Sequence, residues 1–166
     1  DYRVRIFTPY EEFDFAGHPT LGSAAAWRAL GNSPQAEGTI VQECGVGLVT
    51  VREKGEVFSF ATPPLRREEP LTPAELEEAC VGLGLKSADI VDHGWVDNGP
   101  GWRLLQLRNA AAVRAVKPRA KRPKVGIVGL NPNATEGEPT YEVRAFTTQF
   151  EDPVTGSFNG GAAQFM

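Results

Sequence analysis

The chain carries one pattern twice, as VRIFTPYEEFDFAGHPTLGSA at residues 4–24 and as VRAFTTQFEDPVTGSFNGGAA at residues 143–163. Aligned without gaps, the two stretches share eight identities in 21 positions, where composition alone would give roughly one or two. Each copy reads as a strand, an acidic turn and a helix entered through a glycine. The pattern predicts a duplicated protein, and we expect its functional site where equivalent elements of the two copies face each other.

Both copies place a glycine, Gly17 or Gly156, where a helix is predicted to begin. In the first copy the helix is predicted over about residues 19–30, with Gly31 and Asn32 as its stop. The first backbone N–H groups of a helix have no partner within it and lie at the positive end of its dipole, so they attract anions. We expect Gly17 and Gly156 to bring such groups close to a carboxylate substrate. The alternative is that these glycines serve only turns and packing.

Three polar side chains are candidates for the chemistry of this site. His18 lies opposite Ser157 in the alignment, and Asp152 precedes the second helix. An imidazole serves as an acid or base near neutral pH, and a helix N-terminus favours its neutral form. Asp152 is a candidate both for catalysis and for capping the helix. Ser157 lacks a nucleophile elbow, so we predict that it donates a hydrogen bond to the substrate rather than attacking it.

Composition excludes several classes of protein. The 166 residues carry a net charge of −4 and are 41% hydrophobic, which is typical of a globular protein with one or two small domains. Because apolar runs are short and no leader pattern is visible, we expect a cytoplasmic protein with no membrane partner. The acidic balance disfavours nucleic acid as a partner, so the basic loop KPRAKRPK at residues 117–124 is interpreted mainly as a solvated connection.

The two cysteines give no sign of a metal site or a disulfide. Cys44 and Cys80 lie far apart, without CxxC spacing or nearby histidines. We therefore expect buried free thiols and no metal ligands.

The remaining chain alternates predicted strands and helices. Residues 2–7 read as one strand, and residues 39–63 as two or three antiparallel strands. PPLRREEP, residues 63–70, suits a linker, and residues 72–85 begin a helix with a threonine cap and a proline. Further strands are predicted within residues 90–109, 124–130 and 140–148. We expect an α+β protein with one domain over residues 1–66 and a second over residues 67–166.

Three stretches resemble successive motifs of the PhzF-like phenazine-biosynthesis family. They are RIFTPYEEFDFAGHPTLGSAAAW at residues 5–27, VDNGPGW at residues 96–102 and VRAFTTQFEDPVTGSFNGGAAQFM at residues 143–166. The resemblance implies the diaminopimelate-epimerase-like fold, in which two pseudo-symmetric domains each wrap a curved, mostly antiparallel sheet around a central helix, with the active site in the cleft between them. It also implies a homodimeric, cofactor-independent isomerase that moves a proton on dihydro-3-hydroxyanthranilate.

The same resemblance assigns roles to individual residues. His18 matches the histidine of the family's GHP motif, Asp152 the aspartate of EDP and Ser157 the serine of TGS. All three line the substrate cleft in the family, while Gly156 and the helix start after it donate backbone N–H groups to the substrate carboxylate. Trp95 and Trp102 flank VDNGPG, and they are interpreted either as an aromatic wall for a ring substrate or as core residues.

The chain also departs from the family pattern. The family's principal acid/base is a glutamate in an Asn-x-Ser-Glu motif that would precede Asp1, and its last strands would follow Met166, so we expect a fragment of a longer polypeptide. The pair Glu11–Glu12 is a tempting substitute for this glutamate, but it is interpreted as structural or near the cleft rim. Phe13–Asp14 replaces the usual leucine–proline pair.

Three functions follow from these observations, in order of preference. The first is proton-shift isomerisation of a small, cyclic carboxylate, with His18 and Asp152 polarising the substrate and relaying a proton and Ser157 stabilising the anion. The second is a catalytically inactive module that binds small anions or acts as a scaffold. The third is nucleic-acid binding through the basic loop, which predicts salt-sensitive association.

Overall fold

A computed structural model describes residues 1–7, 12–119 and 121–166. The chain forms two units, Asp1–Thr62 and Pro63–Met166. Each unit combines a sheet with at least one helix, so the predicted α+β class is confirmed.

The described residues of the first unit form six strands and one helix. Their bounds are β1 (Tyr2–Arg3), β2 (Ile6–Phe7), β3 (Glu12–Phe13), α1 (Gly17–Ala29), β4 (Thr39–Cys44), β5 (Gly47–Lys54) and β6 (Val57–Phe60). The main sheet has the order β1-β4-β5-β6, with β1 parallel to β4 and the other pairs antiparallel. Helix α1 packs against it through a core of Ala24, Ile40 and Val51. The strands predicted within residues 39–63 are thus confirmed.

The prediction of a single strand over residues 2–7 is wrong. Tyr2–Arg3 pairs with β4 in the main sheet, whereas Ile6–Phe7 pairs with β3 in a separate hairpin. An alternating pattern shows which residues are suited to strands, but it does not reveal that the chain changes partner between two short pieces.

The described residues of the second unit form five strands and three α-helices, with a short 3-10 helix at Ser87–Asp89. Their bounds are α2 (Pro73–Leu83), β7 (Ile90–Trp95), β8 (Arg103–Leu107), α3 (Ala110–Ala115), β9 (Val125–Leu130), β10 (Tyr141–Phe146), β11 (Glu151–Asp152) and α4 (Gly156–Phe165). The sheet order is β11-β10-β9-β8-β7. Only β8 and β9 run parallel among these neighbours, and α3 forms the crossover between them.

Helices cover both faces of this second sheet. Val128 of β9 packs with Phe158 and Ala162 of α4, while Ile127 packs on the other face with Leu83 of α2 and Val113 of α3. Successive side chains of a strand point to opposite faces, so a central strand covered on both sides is apolar throughout. Helix α4, which carries one copy of the repeated pattern, therefore rests directly on the centre of the sheet.

The segment predicted as a linker packs on the second unit. Leu65 joins the core beneath α4, the N–H of Arg66 donates to the carbonyl of Asp97, and the Arg67 guanidinium lies 3.7 Å from the centre of the Trp95 ring. These contacts explain why the division falls after Thr62, earlier than the boundary expected after residue 66.

Two local predictions are confirmed. Thr72 caps α2 in a capping box with Glu75, and Pro73 opens the helix, as the threonine–proline signal indicates. Cys44 and Cys80 are both buried and free. Helix α3 was not predicted, because its six residues are too short to show a helical period.

Equivalent glycines of the two helices predict opposite effects of one substitution. An added Cβ at Gly22 of α1 meets no atom within 4 Å among the described residues, whereas at Gly161 of α4 it would lie 2.8 Å from the Val96 carbonyl oxygen. We expect Gly22→Ala to raise the free energy of unfolding by about 0.5–1 kcal/mol. We expect Gly161→Ala to lower it by about 1–3 kcal/mol. Urea denaturation of both variants checks this, and equal effects would contradict it.

Candidate active site

The repeated pattern builds the same frame in both units. Hairpin β2–β3 pairs Ile6 with Phe13 and Phe7 with Glu12, and hairpin β10–β11 pairs Ala145 with Asp152 and Phe146 with Glu151. These are equivalent positions of the alignment. The helices also begin at equivalent residues, Gly17 and Gly156. The predicted duplication is therefore confirmed at the level of pairing register and helix start.

A bidentate arginine–glutamate ion pair connects the two sides of each hairpin. Arg5 donates from Nε and Nη2 to the two carboxylate oxygens of Glu12, both at 2.8 Å, and Arg144 does the same to Glu151, both at 2.7 Å. Arg144 also donates from Nη1 to the carbonyl oxygens of Val113 and Val116. Such bidentate pairs are geometrically specific, so the second hairpin is tied to the end of α3.

These pairs keep the repeated glutamates ionised. Hydrogen bonding from Arg5 lowers the pKa of Glu12, and hydrogen bonding from Arg144 lowers the pKa of Glu151. A residue that exchanges protons near neutral pH needs a pKa close to that range. The lowered pKa favours the structural interpretation of Glu12 over that of a substitute acid, while Glu11 lies outside the described residues.

The Arg144–Glu151 pair predicts a specific pH dependence. Because the folded-state pKa of Glu151 is lowered, its stabilisation is present above the unfolded value of about 4.3 and is lost as pH falls through the folded pKa. Glu151→Gln should therefore lower the free energy of unfolding at pH 7 by less than about 1 kcal/mol, since the pair is partly exposed. Urea denaturation measures the difference in unfolding free energy between the unmodified protein and Glu151→Gln. This difference should shrink between pH 7 and pH 3, and a constant difference would contradict the prediction.

Helix α1 begins without a side-chain cap. Its N-cap is Ala16, and the next residues are Gly17 and His18, whose ring is exposed. Pro19 has no N–H to satisfy, and the N–H of Thr20 donates to the Ala16 carbonyl oxygen. Within the described residues, the N–H groups of Gly17 and His18 have no acceptor. Two donors without an acceptor in the described part of the chain thus lie beside an exposed imidazole.

Helix α4 begins in the same way, around a more deeply packed set of side chains. Its N-cap Thr155 makes no capping bond, and the Thr155 hydroxyl is buried without a partner in the described chain. Gly156 is exposed and Ser157 half-buried. No described acceptor pairs with the N–H groups of these two residues. Free donors at a helix N-terminus form a ready site for an anion.

Two side chains from another loop hold Ser157. The indole Nε1 of Trp102 donates to the Ser157 hydroxyl oxygen at 2.9 Å, and the Asn98 amide donates to the Ser157 carbonyl oxygen at 2.8 Å. Trp102 is only 3% exposed and Trp95 only 8%, so the core interpretation of both rings agrees with their burial. The sequence marked Trp102 and the motif that contains Asn98, but it did not predict that either side chain bonds to Ser157.

The loop that carries Asn98 is closed by its own turn. One carboxylate oxygen of Asp97 accepts from the N–H groups of Gly99 and Gly101 at 2.8 and 2.7 Å. Both glycines have positive φ, 139° and 75°, where a side chain would be strained. The VDNGPGW motif marks this loop in the sequence, but the motif does not show which element the loop contacts.

Asp152 lies just before α4 and is half-buried. One of its carboxylate oxygens accepts from the N–H of Val154 at 3.2 Å. Thr155, not Asp152, is the N-cap of α4, so the capping alternative for Asp152 is wrong and the residue closes the preceding turn instead. Its catalytic role stays a prediction.

The described parts of the chain contain no group of three or more His, Cys, Asp or Glu residues that could hold a metal ion. None of their helices has the length and apolar character needed to cross a membrane.

The basic loop of residues 117–124 is not wholly solvated, since the Lys124 ammonium donates to the Pro100 carbonyl oxygen and lies 5.5 Å from the centre of the Trp102 ring.

The hairpin-and-helix frame, present in both units, places the chain in a class of duplicated α+β proteins. Comparison with known proteins identifies the family. Residues 1–166 match the family described as phenazine biosynthesis-like protein, and the chain belongs to it. It is 32% identical to antisense-enhancing sequence 1 of Schizosaccharomyces pombe, covering 100% of this chain and 61% of that protein. It is 34% identical to trans-2,3-dihydro-3-hydroxyanthranilate isomerase of Pseudomonas aeruginosa, over 98% of this chain and 59% of that protein.

Solved structures show the same fold. A PhzF-family phenazine biosynthesis protein of Bacillus anthracis superposes with a TM-score of 0.78 at 19% identity, covering 98% of this chain and 60% of that one. A PhzF-family protein of Enterococcus faecalis gives a TM-score of 0.73 at 23% identity, with the same coverage. The predicted diaminopimelate-epimerase-like fold is thereby confirmed. The chain spans about three fifths of the length of these relatives.

Proposed function

We propose that this protein is an isomerase that shifts a proton on a small, cyclic carboxylate without an organic cofactor or a metal. Family membership supports this class of reaction, and one relative is named for the isomerisation of trans-2,3-dihydro-3-hydroxyanthranilate. The observation that carries the proposal is the start of α4, where N–H groups with no described acceptor, the Ser157 hydroxyl and the Asp152 carboxylate occur within six residues.

The chemistry assigned to the start of α4 is anion binding. The N–H groups of Gly156 and Ser157 are placed to bind a carboxylate or to stabilise the enolate that forms when a proton leaves the carbon beside it. Preorganised donors need no rearrangement as charge develops, which is why they lower the barrier. Gly17 and His18 supply the equivalent N–H donors at the start of α1.

Proton movement is assigned to Asp152 and His18. The imidazole is exposed, and the carboxylate is half-buried; both groups can hold and relay a proton. In the family pattern, the group that removes the substrate proton is a glutamate of an Asn-x-Ser-Glu motif, which residues 1–166 do not contain. Any test of turnover therefore uses the full-length protein.

The test is proton exchange with solvent. The full-length protein is incubated in D₂O with trans-2,3-dihydro-3-hydroxyanthranilate and, separately, with other cyclic hydroxy-carboxylates. We expect proton NMR to show deuterium entering a ring position as the substrate converts. Saturable binding without exchange for every carboxylate tried would favour the binding-module alternative and contradict the isomerase.

A further inference from the structure

We propose that Trp102 and Asn98 are positioning residues that fix Ser157 as a hydrogen-bond donor toward the substrate. The inference rests on the proposed function, and it deepens that function by assigning a role to the loop of residues 97–101. It concerns the direction of one hydroxyl bond, which follows from the chemistry of the groups that contact it.

The indole of Trp102 sets this direction. An indole N–H can only donate, whereas a hydroxyl has one hydrogen and two acceptor lone pairs. The Ser157 oxygen must therefore be the acceptor in its 2.9 Å contact with Trp102, and its hydrogen points away from the indole. Within the described second unit, no other group bonds to this hydroxyl. The hydrogen is thus left for a ligand at the start of α4.

Both partners of this bond are held in place. The Trp102 ring is 3% exposed and packs against Phe158, one residue after Ser157, with ring centres 5.5 Å apart. The carbonyl of Trp102 also accepts from the N–H of Val96 at 3.0 Å, which closes the loop at its base. A donor fixed by packing keeps its geometry when charge develops on a substrate.

Asn98 fixes the backbone of the same serine. Its amide N–H group donates to the Ser157 carbonyl oxygen at 2.8 Å, and its own carbonyl oxygen is buried with no partner in the described chain. The Thr155 hydroxyl is likewise buried and unpaired. A buried polar atom without a partner has given up its hydrogen bond to water and gained none in return, which is destabilising. Two such atoms at one helix start favour a polar ligand there.

The experiment compares Trp102→Phe with Trp95→Phe in the full-length protein. Both changes remove an indole N–H and keep a buried ring, but it is the Trp102 N–H that bonds to Ser157, whereas the Trp95 N–H lies near the Glu75 carboxylate and helps to lower its pKa. We expect Trp102→Phe to lower kcat about three- to tenfold with little change in KM, because one hydrogen bond that aligns a transition-state donor is lost. Trp95→Phe should leave kcat within about twofold.

A double substitution distinguishes a positioning role of Trp102 from a merely structural one. In a Ser157→Ala background, Trp102→Phe should have no further effect on kcat, since the group it positions is gone. The NMR resonance of the Trp102 indole N–H is identified by its loss in Trp102→Phe. This resonance should shift in Ser157→Ala, because that substitution removes the hydroxyl oxygen to which the indole donates. Independent, multiplying effects of the two substitutions in an active enzyme would overturn this inference and leave the isomerase standing. Absence of turnover with every carboxylate would overturn both.

Discussion

Asp152→Asn is expected to lower kcat/KM of the full-length protein by about 10²- to 10⁴-fold, the usual contribution of a group that transfers a proton. The substitution separates two roles of this residue. An asparagine side chain can still accept the hydrogen bond from the N–H of Val154, so the turn before α4 is kept. It cannot carry a negative charge or relay a proton, so the loss reports on the chemistry alone.

The matched control removes another carboxylate from the same hairpin. Glu142 lies on β10 and pairs with Arg114 at 2.7 Å, outside the candidate site. Glu142→Gln should change kcat/KM by less than about twofold and stability by less than about 1 kcal/mol. If Asp152→Asn behaved like Glu142→Gln in substrate turnover, Asp152 would not be a catalytic residue.

Phe158→Ala is expected to lower the free energy of unfolding by about 3–5 kcal/mol, the cost of emptying a fully buried aromatic site. Phe158 has no exposed surface and packs with Trp102, Leu104 and Val128. Phe150 gives the control, because it is 58% exposed and its loss should cost less than about 0.5 kcal/mol. Urea denaturation followed by circular dichroism measures both.

A second substitution tests how the Phe158 ring packs on β9. A Cβ added at Gly126 of β9 would overlap three carbon atoms of the Phe158 ring. Gly126→Ala should therefore cost about 1–3 kcal/mol in the native protein. In the Phe158→Ala background the added methyl group enters the vacated space, so the cost should largely disappear. Additive effects would show that α4 does not rest on Gly126.

The duplication made much of the fold predictable. An ungapped repeat fixed the equivalence of the two hairpins and helices, and the structure gives them the same register and helix starts. The cap of α2 was predictable for a different reason, since Thr72 and Pro73 act locally. Such signals do not depend on what the rest of the chain does.

The features that escaped the sequence depend on distant contacts. Residues 2–7 pair with two different partners, and residues 63–66 join the second unit through Leu65 and Asp97. Asn98 contacts Ser157 across 59 positions of the chain. No local pattern encodes these partners, because a polar side chain in a turn looks the same whether it faces water or a helix start.

The candidate site was predictable to a similar extent. His18, Asp152, Gly17, Gly156 and Ser157 were found because they sit at fixed places in the repeated pattern. The structure adds that both helix starts lack caps and that Ser157 is already held as an acceptor by Trp102. That information lies in hydrogen-bond geometry, which a motif does not specify.

The start of α4 is proposed to bind the carboxylate of the substrate, and an NMR titration can detect this binding residue by residue. The full-length protein, labelled with ¹⁵N, is titrated with anthranilate, a stable ring carboxylate, and Ser157→Ala serves as the comparison. We predict that the amide resonances of Gly156 and Ser157 and the indole resonance of Trp102 show the largest saturable shifts. Saturable binding that leaves these three resonances unchanged would contradict the account.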